Sequence, residues 1–197
     1  MKKFYSFHKT AEQFKVNSFI FEPFNSRLAR DIRNSLSKSF LQALAEKDVS
    51  LYQRCGADYM QQKLEPGYAR YIKTRLAKYE EAYAIIEQKD LRQVLQQAAI
   101  FWVLELYFEM HELLEPAWKD AEGNRRLALQ GLIRAAGMKI HAQSNNMKAA
   151  ASMGAKAMAD LKKYSGELTG FIDVESILAE IKQTLSTVRN TSGRTRH

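Results

Sequence analysis

Chain-reversing residues are scarce in this sequence, and the scarcity narrows the choice of fold more than any other feature. Only 9 Gly and 3 Pro are spread over 197 residues. An all-β sandwich or barrel turns roughly every 8–12 residues and draws on those two residue types to do so. Few turns mean long elements, and long elements of mixed polarity are helices. With 46% apolar and 26% charged residues, the chain can fill a core and is not composed like a disordered one. The single cysteine, Cys55, excludes an internal disulfide framework.

The apolar spacing agrees with an all-α bundle of about seven helices. Residues 1–24 form an aromatic arm without helical periodicity, interrupted by Pro23 and expected to pack through its rings. Asn25 or Ser26 offers a cap to a helix whose apolar arc is Leu28, Ile32, Leu36, Phe40 and Ala43. A shorter helix over Leu51–Leu64, weakened by Gly56, ends at the Glu65-Pro66-Gly67 break. From Tyr68 the pattern resumes through Tyr83 and Ile86. Arg75 lies on that apolar side, either snorkelling or partnering a buried acid.

Asp90 is expected to cap an almost wholly apolar helix, 91–115, paired antiparallel with a helix over 125–145 as the centre of the bundle. An Ala- and Met-rich helix over 147–164 carries Gly154, where small residues allow close helix approach. A last amphipathic helix is capped by Asp173, and residues 191–197 read as a disordered tail. The organisation expected is an N-terminal arm and basic helical extension, 1–89, on a compact helical domain, 90–190.

The net charge of +8 is uneven. Residues 1–89 hold 16 Lys/Arg against 10 Asp/Glu, while 90–172 hold 10 against 9. A solvated surface is the ordinary reading. The sharper one is weak nucleic-acid contact through Arg27, Arg30 and Lys38 on the first helix. The start, Met1 to Lys9, lacks an apolar signal region. The most apolar stretch, 98–114, is short for a membrane and contains Glu105, Glu109 and Glu112, so a cytoplasmic protein without membrane contact is expected.

Glycine-rich phosphate loops, a GxSxG elbow and CxxC pairs are absent. What stands out is His111-Glu112-Leu113-Leu114-Glu115-Pro116-Ala117-Trp118. It begins like a zinc-protease helix, but Glu115 stands where the second histidine belongs. On an ideal helix Glu105, Glu109 and Glu112 continue an apolar stripe, so each needs a partner if buried. Pro116 should end or kink the helix, and Trp118 should be buried at that end. Arg126, Gln130 and His141 lie on the next helix, close enough to share a pocket with His111, Glu112 and Glu115.

This run, with Arg126, Leu129-Gln130-Gly131-Leu132-Ile133 and His141, resembles the domain-of-unknown-function family numbered 309 over about residues 90–185. The resemblance implies an all-α bundle with no established activity, and it gives no residue a role. The motif positions are His111, Glu112, Glu115, Trp118, Arg126, Gln130, Gly131 and His141.

Three functions are compatible with these residues. The preferred one is an interaction or structural module, homo-oligomeric or bound to a protein partner. In it Arg126 forks onto Glu112 or Glu115, His111 bonds Gln130, and no cofactor is needed. The alternative is a metal-assisted hydrolase or other metalloenzyme. Its divalent metal sits on His111, Glu115 and His141, with Glu112 as general base. The third is a nucleic-acid-associated factor using the basic helix.

Overall fold

The computed structural model describes residues 21–194, with side chains described through residue 187. These residues form eight α-helices, a single 3-10 turn and no strand. They are α1 (Arg27–Glu46), α2 (Ser50–Met60), α3 (Pro66–Gln88), α4 (Val94–Val103), α5 (Tyr107–Asp120), α6 (Gly123–Gln143), α7 (Met147–Tyr164) and α8 (Val174–Arg194). The all-α bundle expected from the turn-former count is present.

Two of the three expected caps form, and Asn146 supplies one that was not expected. The Ser26 hydroxyl accepts from the Ala29 amide, Asp173 accepts from Ser176, and Asn146 accepts from Ala149. Pro66 opens α3, where its missing N–H is not needed. Asp90 does not cap the next helix. It adopts φ 51° and pairs with Arg92, while Gln93 and Gln96 form the reciprocal cap of α4. Among the aromatic-arm residues, 1–20 lie outside the described part. Phe21 stacks on Tyr71 with centroids 3.5 Å apart, and Phe24 stacks on His141 at 4.7 Å. The expected tail begins inside α8, whose backbone continues to Arg194; residues 195–197 lie outside the described part.

The main departure is the single helix expected over 91–115, which is two helices. Glu105 takes φ 56°, the Leu106 amide bonds the Phe101 carbonyl at 2.8 Å, and the Glu105 amide bonds Trp102 at 3.0 Å. This is the reciprocal pair that ends a helix on a left-handed residue, usually glycine. The physical cause is the all-round apolarity of the segment. The bend buries Phe101 and Trp102 on one side, and Leu106, Tyr107, Met110 and Leu114 on the other. A left-handed glutamate costs about 1–2 kcal/mol, which those burials and two hydrogen bonds exceed. Pro116 does not end α5 either: the helix passes through it, with Pro116 exposed, to Asp120. The helix count therefore rises from seven to eight.

α5 and α6 pack as antiparallel neighbours, and α6 lies closest to α7. That closeness rests on glycine. A Cβ at Gly131 would lie 3.0 Å from Leu161 and 3.1 Å from Asp160, and one at Gly154 would lie 2.7 Å from the Met138 sulfur. One cluster of buried side chains runs from Ile32 on α1 to Ile181 on α8, with Phe40 stacked on Tyr79 at 4.1 Å near its middle.

Candidate functional site

The bend at Glu105 decides which carboxylates of the motif region go inside. Glu105 turns outward and pairs with Lys78 at 3.0 Å. Glu109, in the first turn of α5, is fully buried. Its Oε1 accepts from the Tyr79 hydroxyl at 2.6 Å, and its Oε2 accepts from Arg75 at 3.3 Å. Arg75 is thus the partner of a buried acid. Burial alone would lower its pKa, but Glu109 reverses this and holds it above the ordinary value. Burial and the same carboxylate push the Tyr79 hydroxyl up. The three groups join α3 to α5 as a charge-neutral unit.

One helical turn later the motif reaches the surface. His111, Glu112 and Glu115 lie on successive positions of one face of α5, and their ligating atoms are all within 4.8 Å of one another. All three are half-buried. His111 Nδ1 faces Glu112 Oε1 at 3.3 Å, and this hydrogen bond holds the Glu112 carboxyl below its ordinary pKa. Glu115 pairs with Lys119 at 3.1 Å. The expected Arg126–carboxylate fork is not formed. Arg126 NH1 donates instead to the carbonyls of Lys119 and Ala121, at 3.0 and 3.2 Å, with its guanidinium 4.5 Å over the Trp118 ring. The reason lies in the helix end. The last carbonyls of α5 have no partner within the helix, and the short turn into α6 brings Arg126 beneath them.

Trp118 is half-buried, and its indole nitrogen is enclosed without a hydrogen-bond partner. It forms a platform for Arg126 at this end of the helix pair. Gln130 is half-buried on α6, and His111 meets Glu112 rather than Gln130. His141 lies across a cavity of about 170 Å³ from His111, between Gly137, Met153 and Phe24. It is not among the residues whose ligating atoms converge, so the candidate metal group is His111, Glu112 and Glu115 rather than His111, Glu115 and His141. Burial lowers the His141 pKa, and its Nδ1 is enclosed without a partner.

A second polar junction escaped the sequence reading. The Trp102 indole donates to Glu180 Oε1 at 2.8 Å and Lys139 donates to Glu180 Oε2 at 2.6 Å, tying α4, α6 and α8. The only signal was that a buried indole N–H needs an acceptor. Arg134 on α6 and Asp160 on α7 form a further ion pair.

These features define an all-helical protein with a half-exposed His/Glu/Glu face beside a buried ion pair. Residues 95–153 match the family model described as a domain of unknown function, DUF309. The resemblance seen in the motif is thereby shown over α4, α5, α6 and the start of α7, a narrower span than 90–185. No curated protein and no solved structure matches the chain. No helix among the described residues is long and apolar enough to cross a membrane.

Proposed function

We propose that the protein is a cytoplasmic interaction module that acts by binding rather than by catalysis. The observation that carries this reading is Glu109. A carboxylate with both oxygens engaged by Tyr79 and Arg75, fully buried, sets the register of α3 against α5 and has no path to a substrate proton. The groups that remain accessible, His111, Glu112 and Glu115, sit in a row on an outward face, as recognition residues do. A photo-crosslinking residue at position 112 or 115 should yield a discrete crosslinked species in cells, and the same residue at exposed Lys73 should not. Identical patterns from the two positions, or an activity lost in Glu112→Gln while the fold is intact, would count against it.

A second reading rests on the convergence of His111, Glu112 and Glu115. Two carboxylates and an imidazole within reach of one point suit a divalent cation with open positions for water. The cation would have to displace Lys119 from Glu115. Calorimetric titration with Zn²⁺ or Mn²⁺ separates the readings. Stoichiometric binding abolished by Glu115→Gln favours the metal, and an unchanged melting temperature with and without chelator favours the interaction module.

A further inference from the structure

Phe21 and Pro23 line a cavity of about 190 Å³ together with Arg33, Tyr71, Arg75 and Phe108. The cavity adjoins the one lined by His111, sharing Arg33, Phe108 and Ile140 with it, and its polar groups are unusual in kind. Arg33 is partly buried and lies 3.9 Å over the Phe108 ring. Two of its nitrogens are spent on the Asn34 side chain, a neutral acceptor. Among the described residues, no carboxylate lies within ion-pair distance of it. The nearby acids are committed elsewhere: Glu109 to Arg75 and Tyr79, Glu112 to His111.

Tyr71 adds the second group. Its hydroxyl is enclosed and makes no hydrogen bond of ordinary geometry, although Arg75 lies 5.0 Å from its ring. Burial pushes its pKa up to about 12, so it remains a proton donor at any physiological pH. The Tyr71 O–H has no acceptor, because Arg75 beside it is itself a donor, and the Arg33 guanidinium is partly desolvated without an ion-pair partner; both are unfavourable. The set therefore presents one unanswered positive charge and one unanswered donor to the same space. The walls above and beside them are aromatic: Phe21 stacked on Tyr71, and Phe108 under Arg33.

We propose that this cavity binds a small organic monocarboxylate, with the carboxylate on Arg33 and the Tyr71 hydroxyl and the apolar body between Phe21 and Phe108. A carboxylate has two acceptor oxygens for the two donors and one negative charge for the one uncompensated cation. The volume suits a body of one ring or a short aliphatic chain. Specificity for the apolar part comes from Phe21 and Pro23, which belong to the segment before α1 and line the cavity.

The test is ligand-observed NMR and calorimetry on the full chain with benzoate and hexanoate as probes, benzamide as the neutral control and inorganic phosphate as the bodiless anion. Benzoate or hexanoate is expected to bind. Arg33→Met should weaken it by about tenfold or more, Tyr71→Phe by a smaller factor, and Phe21→Ala should weaken the probes without changing the fold. Tyr71→Phe keeps the ring that Phe21 stacks on, so it remains informative if Arg33→Met folds poorly. Binding of benzamide as tight as that of benzoate, phosphate binding that exceeds both carboxylates, unchanged affinity in Arg33→Met or Tyr71→Phe, or no binding of either carboxylate would each overturn the proposal.

Discussion

Replacing Arg75 with methionine keeps most of the side-chain volume and removes the charge, leaving the Glu109 carboxylate fully buried with only the Tyr79 hydroxyl. Breaking a buried pair from one side costs about 3–5 kcal/mol. For a chain of this length each kcal/mol moves the melting temperature by about 2–4 °C, so Arg75→Met should fall by roughly 6–20 °C. The penalty belongs to the stranded charge, and this gives a further signature. Glu109→Leu in the same chain removes the charge and should recover most of the loss, so the double variant is more stable than Arg75→Met alone. Urea titrations followed by circular dichroism at pH 7 measure both effects. A loss under about 1 kcal/mol at pH 7, or a double variant no better than the single one, would show that Glu109 is not held as a buried ion.

Four other outcomes are expected. Gly131→Ala gains helix propensity but drives its Cβ into Leu161 and Asp160, so denaturation should show a net loss of about 1 kcal/mol. Arg126→Ala frees two carbonyls at the end of α5 without stranding a buried charge, and thermal melts should record a loss of about 1–2 kcal/mol. The half-buried His141 titrates below its ordinary value of 6.5, so its contribution is complete above that value and is lost as pH falls below it. His141→Gln should therefore flatten the decline in melting temperature between pH 7 and pH 5. Arg30 and Lys38 are exposed on α1, and Arg27 is exposed and paired with Asp31. Fluorescence anisotropy should find only weak nucleic-acid binding that disappears with added salt, and tight binding well above physiological salt would refute this.

The sequence made the helices legible because apolar periodicity, caps and the Pro66 break are local signals. It also placed Arg75 on the apolar face and required a partner for each buried acid. What it did not reveal was the pairing. Assigning Arg126 to Glu112 or Glu115, with no acid named for Arg75, assumed that α5 ran straight on from α4, which put three glutamates on one stripe. The left-handed Glu105 rotates the register, so Glu105 leaves the core, Glu109 enters it next to α3, and Glu112 reaches the rim. That bend is set by tertiary burial on both sides of the segment. Nothing within a window of residues 91–115 announces it, since the usual marker, glycine, is missing. The metal reading suffered in the same way. Residues one turn apart on α5 converge, whereas bringing His141 onto them required a position across the α5–α6 interface that ideal geometry does not supply.

The same missing glycines leave a mark on what the protein tolerates. Lys47, Asp90, Glu105 and Asn145 all reverse the chain at positive φ, between 51° and 57°. A residue with a Cβ is at a disadvantage there, and glycine is not. These four positions are therefore places where the chain carries unused stability, available to substitution without touching the core, the His111 face or the cavity beneath Phe21. In a collection of random variants, glycine at any of the four should be enriched under selection for thermal resistance, although glycine elsewhere in the helices should be selected against. A map of beneficial glycines would thus trace the corners of this bundle from the sequence side alone.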